Sequence, residues 1–342
     1  MLVYGAGAVG TLLGGRLAAA GLPVTLLGRE PLRRAVAADG LHLLLPEGER
    51  RVDLPVATSL GALDHAPTLV LLTVKAYDVA ATRPELEALA GAGATVVALQ
   101  NGVGSEEELA VLPRLIAASF TLSVAAPAPG EVCQETAKGG LALAPIRGAA
   151  DLTRLAGALR AAGLPTVQLA DYRRMKWSKL LLNLLGNAGA ALLARPPRAL
   201  MADPRLFGLE RRAFLEALAV MRALGLAPCA LPGYDVPLLA RAMRLPAPLA
   251  RRLLAERVAR GRGAKLPSLL RELERGRTRS EIDWLNGAVA RHGAALGLPT
   301  PTNAALTTLF HDAACDPALR RHLAGNPARL LARIDELSTQ PA

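Results

Sequence analysis

The sequence predicts two domains: an α/β domain built on a parallel sheet over residues 1–170, and an all-α domain over 171–342. Short apolar runs alternate with helical stretches through the first part of the chain, the rhythm of a parallel sheet with crossover helices. From residue 171 onward the apolar spacing is helical, punctuated by prolines and glycines. The length of 342 residues also suits two cores better than one.

Each element follows in order. Gly5-Ala6-Gly7-Ala8-Val9-Gly10 comes directly after a short apolar strand and opens a helix that continues through residues 11–20. A second apolar run, Pro23-Val24-Thr25-Leu26-Leu27, returns at the distance expected of a βαβ unit. In that context the first domain reads as a Rossmann-type dinucleotide-binding domain. Gly5 serves the tight turn, Gly7 the approach of backbone to a pyrophosphate, and Gly10 the helix-to-strand packing. The helix amino terminus then faces the phosphates. At the end of the second strand the chain reads Leu27-Gly28-Arg29, with a guanidinium where an NAD-binding protein carries a carboxylate. Arg29 suits a 2′-phosphate, so NADPH/NADP+ is the expected cofactor; Glu30 beside it is the competing feature.

The next strands are expected at 68–73 and 95–99, running into Lys75 and into Asn101-Gly102. Their carboxyl ends share the sheet edge that carries the glycine loop, where open α/β sheets bind ligands. Residues 121–145 hold several short extended runs with Gly130, Gly139 and Gly140 as turn signals, and 151–162 and 166–169 read as a helix and a strand.

Helices are expected at 172–190, 204–224, 236–243, 247–258, 266–275, 280–296 and 302–312. The first carries Lys179, Asn183 and Asn187 at every fourth position among leucines. At about 3.6 residues per turn these three share one face. Buried amides and ammonium groups are costly without partners, so such a stripe is expected to face a polar ligand. Of the 40 cationic residues only Lys75, Lys138, Lys176, Lys179 and Lys265 are lysine. Lysine can release a proton near neutral pH when buried and arginine cannot, so a lysine kept among leucines suggests proton chemistry. A helical domain packed on an α/β domain forms a cleft, a favoured ligand site.

Composition excludes several classes. No apolar window is long enough for a transmembrane helix, and no membrane partner is expected. The opening Met1-Leu2-Val3-Tyr4-Gly5 runs straight into the glycine motif, so no leader is expected and the cytoplasm is the expected compartment. Cys133, Cys229 and Cys315 are odd in number and far apart, which argues against a disulfide framework. The five histidines, His42, His65, His292, His311 and His322, lack metal-ligand spacing, so no metal is expected. The net charge of +11 is densest over residues 251–265, yet aromatics make up only 3% of the chain and no stacking platform accompanies it. The charge is read as solvated arginine-rich surface, with no nucleic acid partner.

Two later segments stand out: residues 267–277, beginning Pro267-Ser268, and Glu281-Ile282-Asp283-Trp284-Leu285-Asn286-Gly287. With the glycine motif, Arg29, Lys75, Asn101-Gly102, the Lys179/Asn183/Asn187 helix and Pro299-Thr300-Pro301-Thr302-Asn303, they resemble ketopantoate reductases in order, from Met1 to about Phe310. The resemblance implies reduction of 2-dehydropantoate, a small-molecule 2-oxo acid, to (R)-pantoate in pantothenate and coenzyme A biosynthesis. It implies hydride transfer from NADPH to the C2 ketone, with Lys179 as general acid and Glu281 assisting beside the cofactor. Asn183, Asn187 and Ser268 would hold the substrate, Asn101 would lie near the nicotinamide and the reacting carbon, and Lys75 would contact the cofactor.

The chain departs from the family pattern in Leu269 after Ser268, in Ser280 before Glu281, and in one extra residue between Ser268 and Glu281. A loop absorbs such an insertion, whereas a continuous helix would turn Ser268 by about 100°. A paralogue reducing another 2-oxo acid is the alternative reading. A non-catalytic NADP-binding sensor is the other, disfavoured because it would need only the glycine loop and Arg29. The amphipathic tail over 316–342 suits either a homodimer contact or a cover over the helical domain.

Overall fold

The computed structural model describes residues 1–148, 151–262, 266–276 and 279–339, and for 255–262 the backbone alone. Lys265 and Arg277 lie outside the described residues. The chain forms two compact units, one of Met1–Gln100, Gly104–Lys176 and Leu231–Tyr234, the other of Asn101–Val103, Trp177–Ala230 and Asp235–Ala342. The division falls after Lys176, inside a helix. Two short segments join the unit opposite to their sequence neighbours.

In the first unit, strands β1 (Leu2–Tyr4), β2 (Thr25–Leu27), β3 (Leu41–Leu45), β4 (Gly48–Val52), β5 (Val56–Ala57), β6 (Leu69–Leu72), β7 (Thr95–Ala98), β8 (Leu115–Phe120), β9 (Val124–Ala125), β10 (Glu131–Gln134), β11 (Leu141–Arg147) and β12 (Thr166–Gln168) make two sheets. The larger has the order β12-β11-β8-β7-β6-β1-β2-β5 and is parallel except where β11 runs against β8. The smaller is β4-β3-β10-β9. Helices α1 (Ala8–Ala19), α2 (Glu30–Asp39), α3 (Val79–Gly91), α4 (Ser105–Glu108) and α5 (Leu152–Ala161) follow the strands. Side-chain alternation explains how the parallel strands bury both faces. Val3, Leu71 and Val97 point into one core with Leu13 and Leu17 of α1, while Leu2, Val70, Leu72 and Val96 point into a second with Leu86 of α3.

The second unit holds the rest of α6 (Tyr172–Leu184), then α7 (Ala188–Leu192), α8 (Pro197–Ala202), α9 (Pro204–Ala223), α10 (Val236–Arg244), α11 (Ala247–Arg262), α12 (Ser268–Glu274), α13 (Asn286–Ala295), α14 (Pro301–Cys315), α15 (Pro317–Leu323) and α16 (Pro327–Thr339). Proline at the first or second position starts α8, α9, α10, α14 and α15, where its missing N–H costs nothing. The tail's Leu323, Leu330 and Ile334 are buried, so its apolar side is covered.

Two helical expectations need correction. The helix expected over 172–190 breaks at residues 185–187, because Gly186 adopts a left-handed conformation with φ +61°. A Cβ there would lie 2.6 Å from the Pro197 Cβ, so only glycine fits. The helix expected over 280–296 begins instead as a 3₁₀ turn, Glu281–Trp284, followed by α13. Among the described residues no helix is long and apolar enough to cross a membrane, and no cluster of three metal-ligating side chains occurs. Cys133, Cys229 and Cys315 are free thiols.

Candidate active site

The glycine loop shows three different steric demands. Gly5 has φ +102°, and a Cβ there would lie 2.8 Å from the Val74 backbone nitrogen. At Gly10 a Cβ would lie 2.5 Å from both the Gly5 carbonyl oxygen and Thr73 Oγ1. Gly7 is exposed and has no atom within 4 Å of a built Cβ. Gly5 and Gly10 are thus required by the loop itself, and Gly7 is required only if something approaches the backbone from outside. The turn is held by Gly5 N–H and Ala6 N–H donating to Leu27 O at 3.2 and 3.0 Å, and by Thr73 Oγ1 donating to Gly5 O at 2.7 Å. Gly7 caps α1 with no side chain, so the amides of Ala8, Val9 and Gly10 open the helix toward an anion. This fits a dinucleotide pyrophosphate.

Arg29 is exposed at the amino cap of α2. Glu30 turns away from a ligand role: its carboxylate accepts from Arg33 at 2.6 and 2.8 Å and from Arg34 at 2.9 Å, and these guanidinium groups hold its pKa down to about 2. The competing carboxylate is therefore engaged along its own helix. Lys75 follows β6, half-buried, and caps a 3₁₀ turn at Ala76–Asp78. Between the strand ends, Gln100 Nε2 donates to Leu72 O at 3.0 Å and Val74 O at 3.1 Å.

In the helical unit, long-range contacts gather residues that are far apart in sequence. Asn183 Nδ2 donates to Asn101 Oδ1 at 3.4 Å. Val103 N–H donates to Trp284 O at 3.0 Å, and Gly102, at φ +86°, passes so close that a Cβ would fall 2.2 Å from that same oxygen. Asn101 is thereby tied to Asn183 on one side and to the turn bearing Glu281 on the other. Glu281 is 3% exposed. Its turn is built by Glu272, which accepts from Ser280 Oγ at 2.7 Å and from Glu281 N–H at 3.0 Å, while Ser280 Oγ accepts from Ile282 N–H at 3.2 Å. Only a hydroxyl is needed at that cap, so serine serves.

Lys179 is half-buried on α6. Asn187 does not continue the Lys179–Asn183 stripe on one helix, as its spacing suggests; it caps α7 beyond the break. It is 5% exposed, and its Oδ1 has no hydrogen-bond partner among the described residues. The buried Glu210 makes that break, accepting from Gly186 N–H. Ser268 stands exposed at the first position of α12, outside the group joined by these bonds. The segment from Ser268 to Glu281 is not one helix, since α12 ends at Glu274 and Gly276 has φ +60°. Sequence reasoning passed over Glu272 and Glu210, acids inside apolar helical stretches. Their placement among leucines was the available signal.

A glycine loop shaped for a pyrophosphate, at the edge of a parallel sheet, defines a dinucleotide-binding protein. Comparison with known proteins narrows this class. A family model described as ketopantoate reductase PanE/ApbA matches residues 1–148, and one described as its C terminal matches residues 171–314. A 2-dehydropantoate 2-reductase of Halobacterium salinarum is 31% identical over 317 residues, covering 90% of this chain and 97% of its own. The crystal structure of a PanE/ApbA family ketopantoate reductase from Ralstonia eutropha JMP134 superposes with a TM-score of 0.78 at 31% identity, covering 92% of this chain and 98% of that one. D-mandelate dehydrogenase, solved with NADH and anilino(oxo)acetate, shares the fold at a TM-score of 0.76 and 20% identity, covering 93% and 99%.

The chain belongs to the ketopantoate reductase family. It is an NADP-dependent oxidoreductase acting on a CH–OH group, and the family uses NADPH.

Proposed function

We propose that the protein reduces 2-dehydropantoate to (R)-pantoate in pantothenate and coenzyme A biosynthesis. The observation that carries this reading is the joining of Asn101, Asn183 and the Glu281 turn through Trp284, on top of the family match along both halves of the chain. NADPH, when bound, supplies the hydride. Gly7 would leave room for its pyrophosphate against the α1 amides, Arg29 would hold its 2′-phosphate, and Lys75 would contact it at the end of β6. Lys179 donates a proton to the oxygen that develops negative charge at C2, so the ketone becomes a hydroxyl. An ammonium there both stabilises that charge and delivers the proton, a contribution of about 10²–10⁴-fold. Glu281 acts at the same end. Asn183, Asn187 and Ser268 bind the substrate's carboxylate and hydroxyl. The Asn187 Oδ1, which no described residue bonds, is suited to accept from a substrate hydroxyl. The cytoplasm is the proposed compartment, as for the family in general.

Steady-state oxidation of NADPH and NADH with 2-dehydropantoate and a panel of other 2-oxo acids tests the reading. Turnover concentrated on 2-dehydropantoate with NADPH is the expected result. Turnover confined to another 2-oxo acid would make the protein a paralogue. The exposed Ser268 and the fold shared with a mandelate dehydrogenase are the observations that favour that second reading.

A further inference from the structure

A second lysine on α6, three residues before Lys179, has a different environment. Lys176 is 2% exposed, and its ammonium sits 2.7 Å from Glu106 Oε1, itself on a residue 2% exposed. The same ammonium donates to the backbone oxygen of Gln100. That oxygen belongs to the peptide group joining Gln100 to Asn101. Gln100 is fixed from its other end as well, through its Nε2 bonds to Leu72 O and Val74 O, beside Lys75. Three chain segments, α4, the end of β7 and the first turns of α6, therefore meet at one buried charge pair.

Burying an ion pair is costly and gives little net stability compared with an apolar pair of similar size. A pair kept in such a place is a candidate for setting geometry, and here the geometry it sets is the peptide plane that precedes Asn101. We propose that Lys176 and Glu106 act as a positioning pair for the reduction. Glu106 compensates the Lys176 charge, and Lys176 holds the Gln100 carbonyl so that Asn101 meets substrate and nicotinamide in a fixed orientation. Lys176 takes no part in proton transfer, since its ammonium is committed to Glu106 and Gln100. The catalytic consequence rests on the assignment of Asn101 made under the proposed function; the clamp on the Gln100–Asn101 peptide does not.

The test is the double variant Lys176→Met/Glu106→Leu, which removes both charges together and leaves no unpaired ion in the core. Three quantities are read on the full chain: kcat and KM for 2-dehydropantoate, the NADPH dissociation constant, and amide hydrogen exchange. The expected result is a fall in kcat/KM of about 10–100-fold, the scale of a misplaced orienting group. NADPH affinity should change less than about threefold, because the pyrophosphate contacts are untouched. Exchange should accelerate in peptides covering residues 99–104 and stay unchanged in the α1 and β1 peptides. Unchanged exchange at 99–104 would overturn the clamp. Accelerated exchange across the whole unit, or a loss of NADPH affinity matching the loss of kcat/KM, would reduce the pair to a general structural element and overturn the proposal equally. If the unaltered protein does not turn over 2-dehydropantoate, the functional reading fails, and the exchange measurement still decides the clamp.

Discussion

The glycine loop of the first unit and the polar cluster of the second are built on opposite plans. The loop comes from one continuous stretch, Gly5 to Gly10, and works through backbone and empty space: Gly5 and Gly10 are required by neighbours 2.5–2.8 Å away, whereas no neighbour requires Gly7. The cluster comes from four stretches, around residues 101, 183, 272 and 281, and works through side chains joined by hydrogen bonds of 2.7–3.4 Å. Steric demands of the first kind fail abruptly, whereas hydrogen-bonded groups of the second kind lose function in graded steps. Cofactor binding and chemistry are therefore expected to separate cleanly under substitution.

The largest effect sharpens that separation. Lys179→Ala is expected to lower kcat by about 10²–10⁴-fold, the size of a lost general acid, with NADPH affinity retained in a fluorescence titration. Near-normal turnover would remove Lys179 from the mechanism. Gly10→Ala is the converse, because its Cβ would meet the Gly5 carbonyl and Thr73. NADPH affinity should fall by about 100-fold or more, a loss of about 2.7 kcal/mol. Gly7→Ala should leave the thermal midpoint of the cofactor-free protein unchanged and still weaken NADPH; a matching loss of stability would break the distinction between the two glycines.

The sequence exposed these two plans unequally. The glycine loop was legible because its logic is local, strand then turn then helix, and the β1, β6 and β7 runs were legible because their alternating apolar residues serve two cores. The β3–β4 hairpin and strand β8 were not marked by pattern: β4 is exposed along Gly48–Arg51 and so lacks apolar alternation, and the outer partners of β3 and β8 are β10 and β11, further along the chain. The break at Gly186 was hidden by a helical pattern that continues across it. What makes the break is Glu210 on α9 and Pro197, neither of them visible from spacing along α6. Lys179 and Asn183 could be grouped by period alone; Asn101 could not be joined to Asn183 until the Trp284 carbonyl brought the loop over.

Smaller effects probe the edges of each region. Arg29→Ala should reduce the preference for NADPH over NADH by about tenfold or more, as expected for loss of a charge-assisted contact of about 1.5–3 kcal/mol. An unchanged preference would return the ribose end to Glu30, against its bonds to Arg33 and Arg34. In the helical unit, His311 lies 2.8 Å from Asp283, and that hydrogen bond raises its pKa above the ordinary histidine value. A raised folded-state pKa gives stability that is fully present below the unfolded value of about 6.5 and is lost as pH rises through the folded value. The thermal midpoint of Asp283→Asn should therefore lie below that of the unaltered protein by about 2–4 °C near pH 6, with the gap shrinking at higher pH. A gap independent of pH would show that the contact does not depend on histidine charge.

The most direct test of the central claim follows the hydride itself. The protein is supplied with NADPH carrying deuterium at C4 of the nicotinamide, in each of the two stereospecifically labelled forms, together with 2-dehydropantoate. Pantoate carrying one deuterium at C2 from one form, and none from the other, is the predicted result. Pantoate without deuterium from either form, or no pantoate at all while NADPH still binds, would contradict it.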